Sequence, residues 1–125
     1  KDRMKFRLAE TYLLLAEAYL RQDMPDKAAD AVNEVRRRAK VSDVSDEEMT
    51  MDFLLDERIR ELYGEESRRF TLIRTGKLLE RVRKYNPEAR DLIQDFHVLW
   101  PIPQAIRDAN VGNFPQNPGY EGYEG

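Results

Sequence analysis

The stretch that decides the fold runs from Tyr12 to Val32, YLLLAEAYLRQDMPDKAADAV, and it reads as two helices separated by a break. Before the break, apolar side chains recur at the three- and four-residue steps of one helix face; they are Leu8, Tyr12, Leu15 and Tyr19. Further leucines and alanines widen this surface, so we expect the first helix, Lys5 to Arg21, to be covered on more than one side. Pro25 suits the first turn of a second helix, predicted over Asp26 to Ala39. Its inward side chains are expected to be Ala28, Ala31, Val32 and Val35.

Residues 5–40 match the spacing of a tetratricopeptide-like hairpin. That pattern asks for a large aromatic residue, a leucine followed by a small residue, a second aromatic residue, and then an alanine and a large apolar residue. The matching residues are Tyr12, Leu15, Ala16, Tyr19, Ala28 and Val32. The proline that usually ends the repeat is absent, and an ordinary helical hairpin is the alternative. Since such repeats bury a continuous core only when about three are stacked, a single copy predicts that the chain is part of a larger protein.

Two further helices are predicted, from Thr50 to Tyr63 and from Glu66 to Tyr85, and Gly76 is a candidate break within the second of these. Their expected core residues are Phe53, Leu54, Ile59, Leu62, Phe70, Ile73, Leu78, Leu79 and Val82. Thr50 is a candidate cap for the third helix, and Ser45 or Asp46 for an earlier turn. Beyond Asn86-Pro87 only a helical turn over Gln104 to Ala109 is expected. The predicted fold class is therefore all-α, with tetratricopeptide-like helix pairs followed by an irregular segment rich in Pro, Gly and Asn.

The composition excludes several classes of function. With 21 basic against 24 acidic residues, the 125-residue chain has a net charge of -3, whereas a general nucleic-acid binder needs a basic excess. It contains no cysteine, which excludes disulfides, thiolate metal sites and a cysteine nucleophile. No apolar run approaches the ~20 residues needed to span a bilayer.

Glu57 and Glu61 stand four residues apart, with Arg58 beside them, in the densest charge pattern of the sequence. An acid/base pair would need two carboxyl groups in contrasting environments. Here arginines accompany both, which favours an ion-pair network that ties the third helix to the fourth. We therefore predict no catalytic residue.

His97 is the only histidine, so a zinc site or a histidine-dependent triad lacks partners. The acidic residues Asp43, Asp46, Glu47 and Glu48 do not have the spacing of a calcium-binding loop. No metal and no cofactor is predicted. Trp100, the only tryptophan, is a candidate for stacking on a sugar ring, but its apolar neighbours Leu99 and Ile102 favour a structural role in which Trp100 fills a core.

Three segments together resemble one family. They are Arg7 to Ala18 (RLAETYLLLAEA); the charged stretch Asp56-Glu57-Arg58-x-x-Glu61-Leu62 with Arg68-Arg69-Phe70-x-Leu72-x-Arg74-x-Gly76; and Leu99-Trp100-Pro101-Ile102-Pro103 with Asn110 and Gln116-Asn117-Pro118-Gly119-Tyr120. In this order they resemble the C-terminal portion of the SusD/RagB outer-membrane lipoproteins. Two positions depart from the family pattern: Glu66 stands where glycine is usual, and Thr71 where aspartate is usual.

The resemblance implies a non-enzymatic protein that binds a nutrient, a glycan or in some relatives a peptide, and hands it to a TonB-dependent (SusC-like) transporter. It implies a surface-exposed lipoprotein of the outer membrane, with the signal and the lipidated cysteine outside this chain. Residues 1–125 would be the C-terminal domain of that protein. The family's ligand-contacting residues lie outside the matched motifs, so no binding residue is carried over. The competing function is a helical-repeat adaptor that binds a protein partner.

Overall fold

The computed structural model describes residues 6–124. These residues form helices connected by turns and irregular segments, and the described range contains no strand, which confirms the all-α prediction. The chain divides into two compact units between Glu66 and Ser67. The predicted start of the first helix at Lys5 lies outside the described residues. None of the helices within residues 6–124 is both long and apolar enough to cross a bilayer.

The first unit contains three helices, α1 (Leu8–Leu20), α2 (Pro25–Arg38) and α3 (Met51–Glu61). Pro25 occupies the first turn of α2, as predicted. The Thr50 side chain accepts a hydrogen bond from the Phe53 amide at 3.2 Å and so caps α3. Ser45 closes the preceding turn through hydrogen bonds exchanged with Glu48. Both candidate caps are therefore used, one for the turn and one for the helix.

The core of the first unit lies where α1 packs on α2. Ala16 and Ala28 are completely buried, as expected for alanines that allow two helices to approach closely. The predicted inward residues of α2 are all buried, because α2 is apolar on one side and charged on the other. Val44 and Met49 of the connector, Leu54 of α3 and Leu62 just after α3 complete this core.

The apolar stripe that the spacing indicated on α1 is buried only in part. Leu8 is 69% exposed and Leu15 is 41% exposed, while Tyr12 and Tyr19 are only partly buried. The helix instead turns a different side inward; its buried residues are Ala9, Leu13, Ala16 and Glu17. Because α1 is apolar nearly all round, spacing alone does not decide which side faces α2.

The second unit begins with α4 (Arg68–Arg74) and α5 (Leu78–Tyr85). The single helix predicted over Glu66 to Tyr85 is divided at Gly76, whose φ of +69° ends α4. This backbone conformation is favourable for glycine and strained for other residues. A 3-10 helix (Asp95–Val98) and α6 (Gln104–Asp108) follow. Two expected core residues, Ile59 of α3 and Phe70 of α4, are exposed instead.

Candidate functional site

The extended segment Leu99–Pro103 is held by three side chains from further along the chain. Asn117 Nδ2 donates to the Trp100 carbonyl at 2.7 Å, and the Tyr120 hydroxyl donates to the Leu99 carbonyl at 2.8 Å. Gln116 binds the backbone of Ile102. We call these three side chains, Gln116, Asn117 and Tyr120, the polar clasp. It joins the two halves of the closing motif that the sequence singled out.

Gln116 is the centre of the polar clasp. Its Oε1 accepts from the Ile102 amide at 2.7 Å and its Nε2 donates to the Ile102 carbonyl at 2.9 Å. Since Pro101 and Pro103 have no N–H, Ile102 carries the only backbone donor between them. One side-chain amide therefore satisfies both backbone groups of that residue. Gln116 is only 7% exposed, although the sequence indicated it only as a member of the closing motif, without a contact of its own.

A tight turn at Gly119 brings Tyr120 into position. Its φ is +86°, and a Cβ at this residue would come within 2.2 Å of Phe96 Cγ. The Phe96 and Tyr120 rings meet edge to face, with 5.0 Å between their centroids, and the His97 ring lies 4.2 Å from that of Phe96. Glycine is thus required here by both its backbone conformation and the space available.

Trp100 is 57% exposed, so the expectation that it fills a core is wrong. Its carbonyl belongs to the polar clasp, whereas its ring stacks on Arg69, whose guanidinium carbon lies 4.5 Å from the ring centroid. Arg69 is fixed in turn by donating from Nη2 to the His97 carbonyl. The sequence offered no signal for this contact, because the two residues are far apart along the chain.

A cleft of about 350 Å³ lies next to this stack in the second unit and shares Arg69 with it. Its other lining residues are Val82, Asn86, Ala89, Leu92, Ile93 and His97. His97 Nδ1 accepts a hydrogen bond from the Gln94 amide at 2.8 Å, which places the proton of the neutral ring on Nε2. This largely apolar cleft is a candidate ligand surface in the part of the chain that the structure describes.

The glutamates that sequence analysis weighed as catalytic residues lie in the first unit, and each binds two arginines. Glu57 Oε2 accepts from Arg36 Nη1 at 2.7 Å and from Arg60 Nη2 at 2.9 Å. Glu61 Oε1 accepts from two further arginines, Arg7 Nη1 at 2.9 Å and Arg38 Nη2 at 2.6 Å. These ion pairs connect α3 with α2 and with the residue before α1.

Arg7 and Arg58 anchor the ends of this charged cluster. Hydrogen bonds to Glu65 and Glu61 raise the pKa of Arg7 further above its ordinary value. Arg58 is 1% exposed, and its Nε donates to Glu66 Oε1 at 2.5 Å. Glu66, which departs from the family pattern, therefore supplies the carboxylate that a buried guanidinium needs. Within residues 6–124, no three His, Asp or Glu side chains are arranged to hold a metal ion.

Comparison with known proteins identifies the family of this helical chain. The sequence profile described as the SusD family matches residues 1–120, and the chain belongs to that family. It is 36% identical to the SusD-like protein P25 of Formosa agariphila over 113 aligned residues. This alignment covers 82% of this chain and 21% of that protein. It is 35% identical to the starch-binding protein SusD of Bacteroides thetaiotaomicron over 125 aligned residues. This alignment covers 93% of this chain and 21% of that protein.

The chain thus spans about a fifth of the length of the curated relatives it matches. Among solved structures, none is similar enough to count as a match. The family assignment therefore rests on sequence similarity, and the all-α fold agrees with it.

Proposed function

We propose that this chain is the C-terminal domain of a larger protein that binds a nutrient glycan at the surface of the outer membrane. The observation that carries this proposal is the SusD family match over residues 1–120, together with 35% identity to a protein named for starch binding. The protein would deliver its ligand to a TonB-dependent transporter of the SusC type. A lipid anchor outside these 125 residues would hold it to the membrane, and a peptide is the other ligand class to test.

The binding function is tested on the full-length protein by calorimetric titration with starch and a panel of other poly- and oligosaccharides. We expect saturable binding to at least one glycan, and co-purification with a transporter from outer-membrane extracts. If no glycan or peptide binds while a soluble protein partner is retained, the helical-repeat adaptor is the correct function and our proposal is overturned.

We further propose that the protein does not hydrolyse its ligand. In support, Glu57 and Glu61 each bind two arginines, an arrangement suited to an ion-pair network and unsuited to a general acid. Incubation of the full-length protein with the same glycans is expected to release no reducing ends. Release that disappears in the Glu57→Gln or Glu61→Gln variant contradicts this proposal.

For the polar clasp and Trp100 we propose a structural role without ligand contact. Every hydrogen bond of the clasp to residues 99–102 goes to backbone atoms, and Trp100 already stacks on Arg69. The Trp100→Ala variant of the full-length protein should lower stability and leave glycan affinity within about twofold, which is well under 1 kcal/mol of binding free energy. A folded Trp100→Ala protein that binds at least about tenfold more weakly would identify Trp100 as a ligand platform.

A further inference from the structure

The polar side chains that line the cleft of the second unit offer hydrogen-bond donors and no free acceptor. They are Arg69, Asn86 and His97. Asn86 Oδ1 accepts from two backbone N–H groups of the turn that follows it, both at 3.1 Å, which leaves only the Nδ2 donors of this amide available. His97 Nδ1 already accepts a backbone N–H at 2.8 Å, so the neutral ring donates from Nε2. A guanidinium has donors only, and the three side chains therefore agree in kind.

Arg69 contributes a positive charge to this cleft, and its own contacts do not neutralise that charge. Its Nη2 donates to the uncharged His97 carbonyl, and its guanidinium stacks on the Trp100 ring, which carries no charge either. Its Nε is buried and has no hydrogen-bond partner within the described residues. Because a half-buried cation is costly without a counterion, these contacts favour an anionic group from a ligand as its partner.

The backbone around the cleft follows the same rule. The carbonyls of Val82, Asn86 and Ala89 each accept a backbone N–H from further along the chain, and the His97 carbonyl accepts from Arg69. The other four lining side chains are apolar. A ligand is therefore held through its own acceptors and through one apolar face. A neutral sugar supplies acceptors but no charge for Arg69, and a peptide carries N–H groups that cannot accept. A sugar ring with a carboxylate supplies both the charge and the acceptors.

We propose that this cleft binds a uronic acid residue, the carboxylated sugar of an acidic glycan. The inference rests on the proposed glycan-binding function and names a ligand class and a site for it. Arg69 binds the carboxylate, the donors of Asn86 and His97 bind ring oxygens, and the C–H face of the ring lies on the apolar wall. The volume of about 350 Å³ is at the lower end of the range for ligand sites, about 300–1,000 Å³, which suits a short segment of a glycan.

The experiment is a calorimetric titration of the full-length protein with short oligogalacturonates and oligoglucuronates. The methyl ester of each keeps the sugar rings and removes the charge. Asn86→Asp retains the Oδ1 that accepts from the turn and replaces the Nδ2 donors with a carboxylate oxygen. Leu92→Glu places a carboxylate on a cleft-lining residue that is 71% exposed, so the fold should tolerate it. Asn110→Asp is the matched control, because it changes the net charge equally in the same unit but outside the cleft.

We expect at least one acid form to bind about tenfold or more tightly than its ester. Asn86→Asp and Leu92→Glu should each weaken that binding by at least about tenfold, and Asn110→Asp should stay within about twofold of the parent.

Equal affinity for acid and ester overturns the proposal, and so do equal losses in Asn86→Asp and Asn110→Asp. Binding of a peptide carboxylate in place of the acidic sugars also overturns it. If only neutral glycans bind, the cleft proposal is wrong while the proposed nutrient-binding function stands, so the two can fail separately.

Discussion

Replacing Gln116 with leucine is expected to release the extended segment Leu99–Pro103. Leucine has nearly the size of glutamine, so the change removes the amide and leaves the packing volume almost intact. Ile102 would lose its partners at both N–H and C=O, which Gln116 binds at 2.7 and 2.9 Å. A third hydrogen bond would also be lost, the one that the backbone N–H of Asn117 donates to Gln116 Oε1 at 2.9 Å.

The expected loss follows from the number and burial of these groups. A hydrogen bond contributes about 0.5–1.5 kcal/mol net, and a buried group left without a partner costs about 1–3 kcal/mol. Ile102 is partly buried, so water would compensate the groups left without a partner, and we take the lower half of the hydrogen-bond range, about 0.5–1 kcal/mol for each bond. Three lost bonds then reduce the free energy of unfolding by about 1.5–3 kcal/mol.

Urea unfolding followed by the emission of Trp100 is the assay, because this only tryptophan of the chain lies within the clasped segment. Gln104→Leu is the matched control, since Gln104 bonds exposed side chains in the same unit and its loss should cost less than about 0.5 kcal/mol. Equal unfolding midpoints for the two variants would refute the role of Gln116 as the centre of the polar clasp.

Three other substitutions test the remaining features. Gly119→Ala should destabilise the second unit by about 1–3 kcal/mol, because alanine at a φ of +86° is strained and its Cβ would overlap a phenylalanine ring; the midpoint of urea unfolding measures this. Glu66→Gln should reduce stability by about 3–5 kcal/mol, as it removes the closest carboxylate of the buried Arg58 guanidinium; helical circular dichroism during thermal unfolding reports it. Ala16→Leu should cost about 1–3 kcal/mol by overpacking the contact of α1 with α2, and the same thermal assay applies.

The first two of these have a control elsewhere in the chain, and the third has a second variant that tests the same contact. Gly112→Ala should be neutral, since a Cβ there would meet no atom within 4 Å. Glu65→Gln removes one exposed partner of Arg7 and should cost no more than about 1 kcal/mol. Ala28→Leu should behave like Ala16→Leu, because both alanines are fully buried. If either buried alanine accepts leucine without loss, the close tetratricopeptide-like helix contact is the wrong description.

The sequence predicted the parts of the fold that depend on local pattern. The inward residues of α2 were predictable because charged residues fill its other side. The side that α1 turns towards α2 was not, because Leu8 and Leu15 are as apolar as the buried Leu13, and only the position of α2 decides between them. Gly76 could be predicted as a candidate break between two helices, since glycine tolerates the backbone conformation that ends α4.

The candidate site was less predictable, because its contacts are long-range. Gln116 and Ile102 are fourteen residues apart. The one local signal was the sequence Pro101-Ile102-Pro103, in which only Ile102 has a backbone N–H. That N–H needs an acceptor, but the local sequence does not show which residue supplies it. The interaction of Trp100 with Arg69 had no local signal either, and its apolar neighbours in sequence suggested burial that the structure does not give it. Glu66 became interpretable only when Arg58 was found buried beside it.

The segment Leu99–Pro103 also bears on how the protein avoids aggregation. An extended, exposed and apolar stretch is ordinarily a template on which a strand from another molecule can add. Here Pro101 and Pro103 have no N–H, the Ile102 amide is bound by Gln116, and the Leu99 amide donates to the Phe96 carbonyl. The carbonyls of Leu99, Trp100 and Ile102 each already accept a side-chain donor. Four of the five residues therefore offer no free backbone N–H to an incoming strand. This apolar stretch can lie on the surface without nucleating an intermolecular β-sheet.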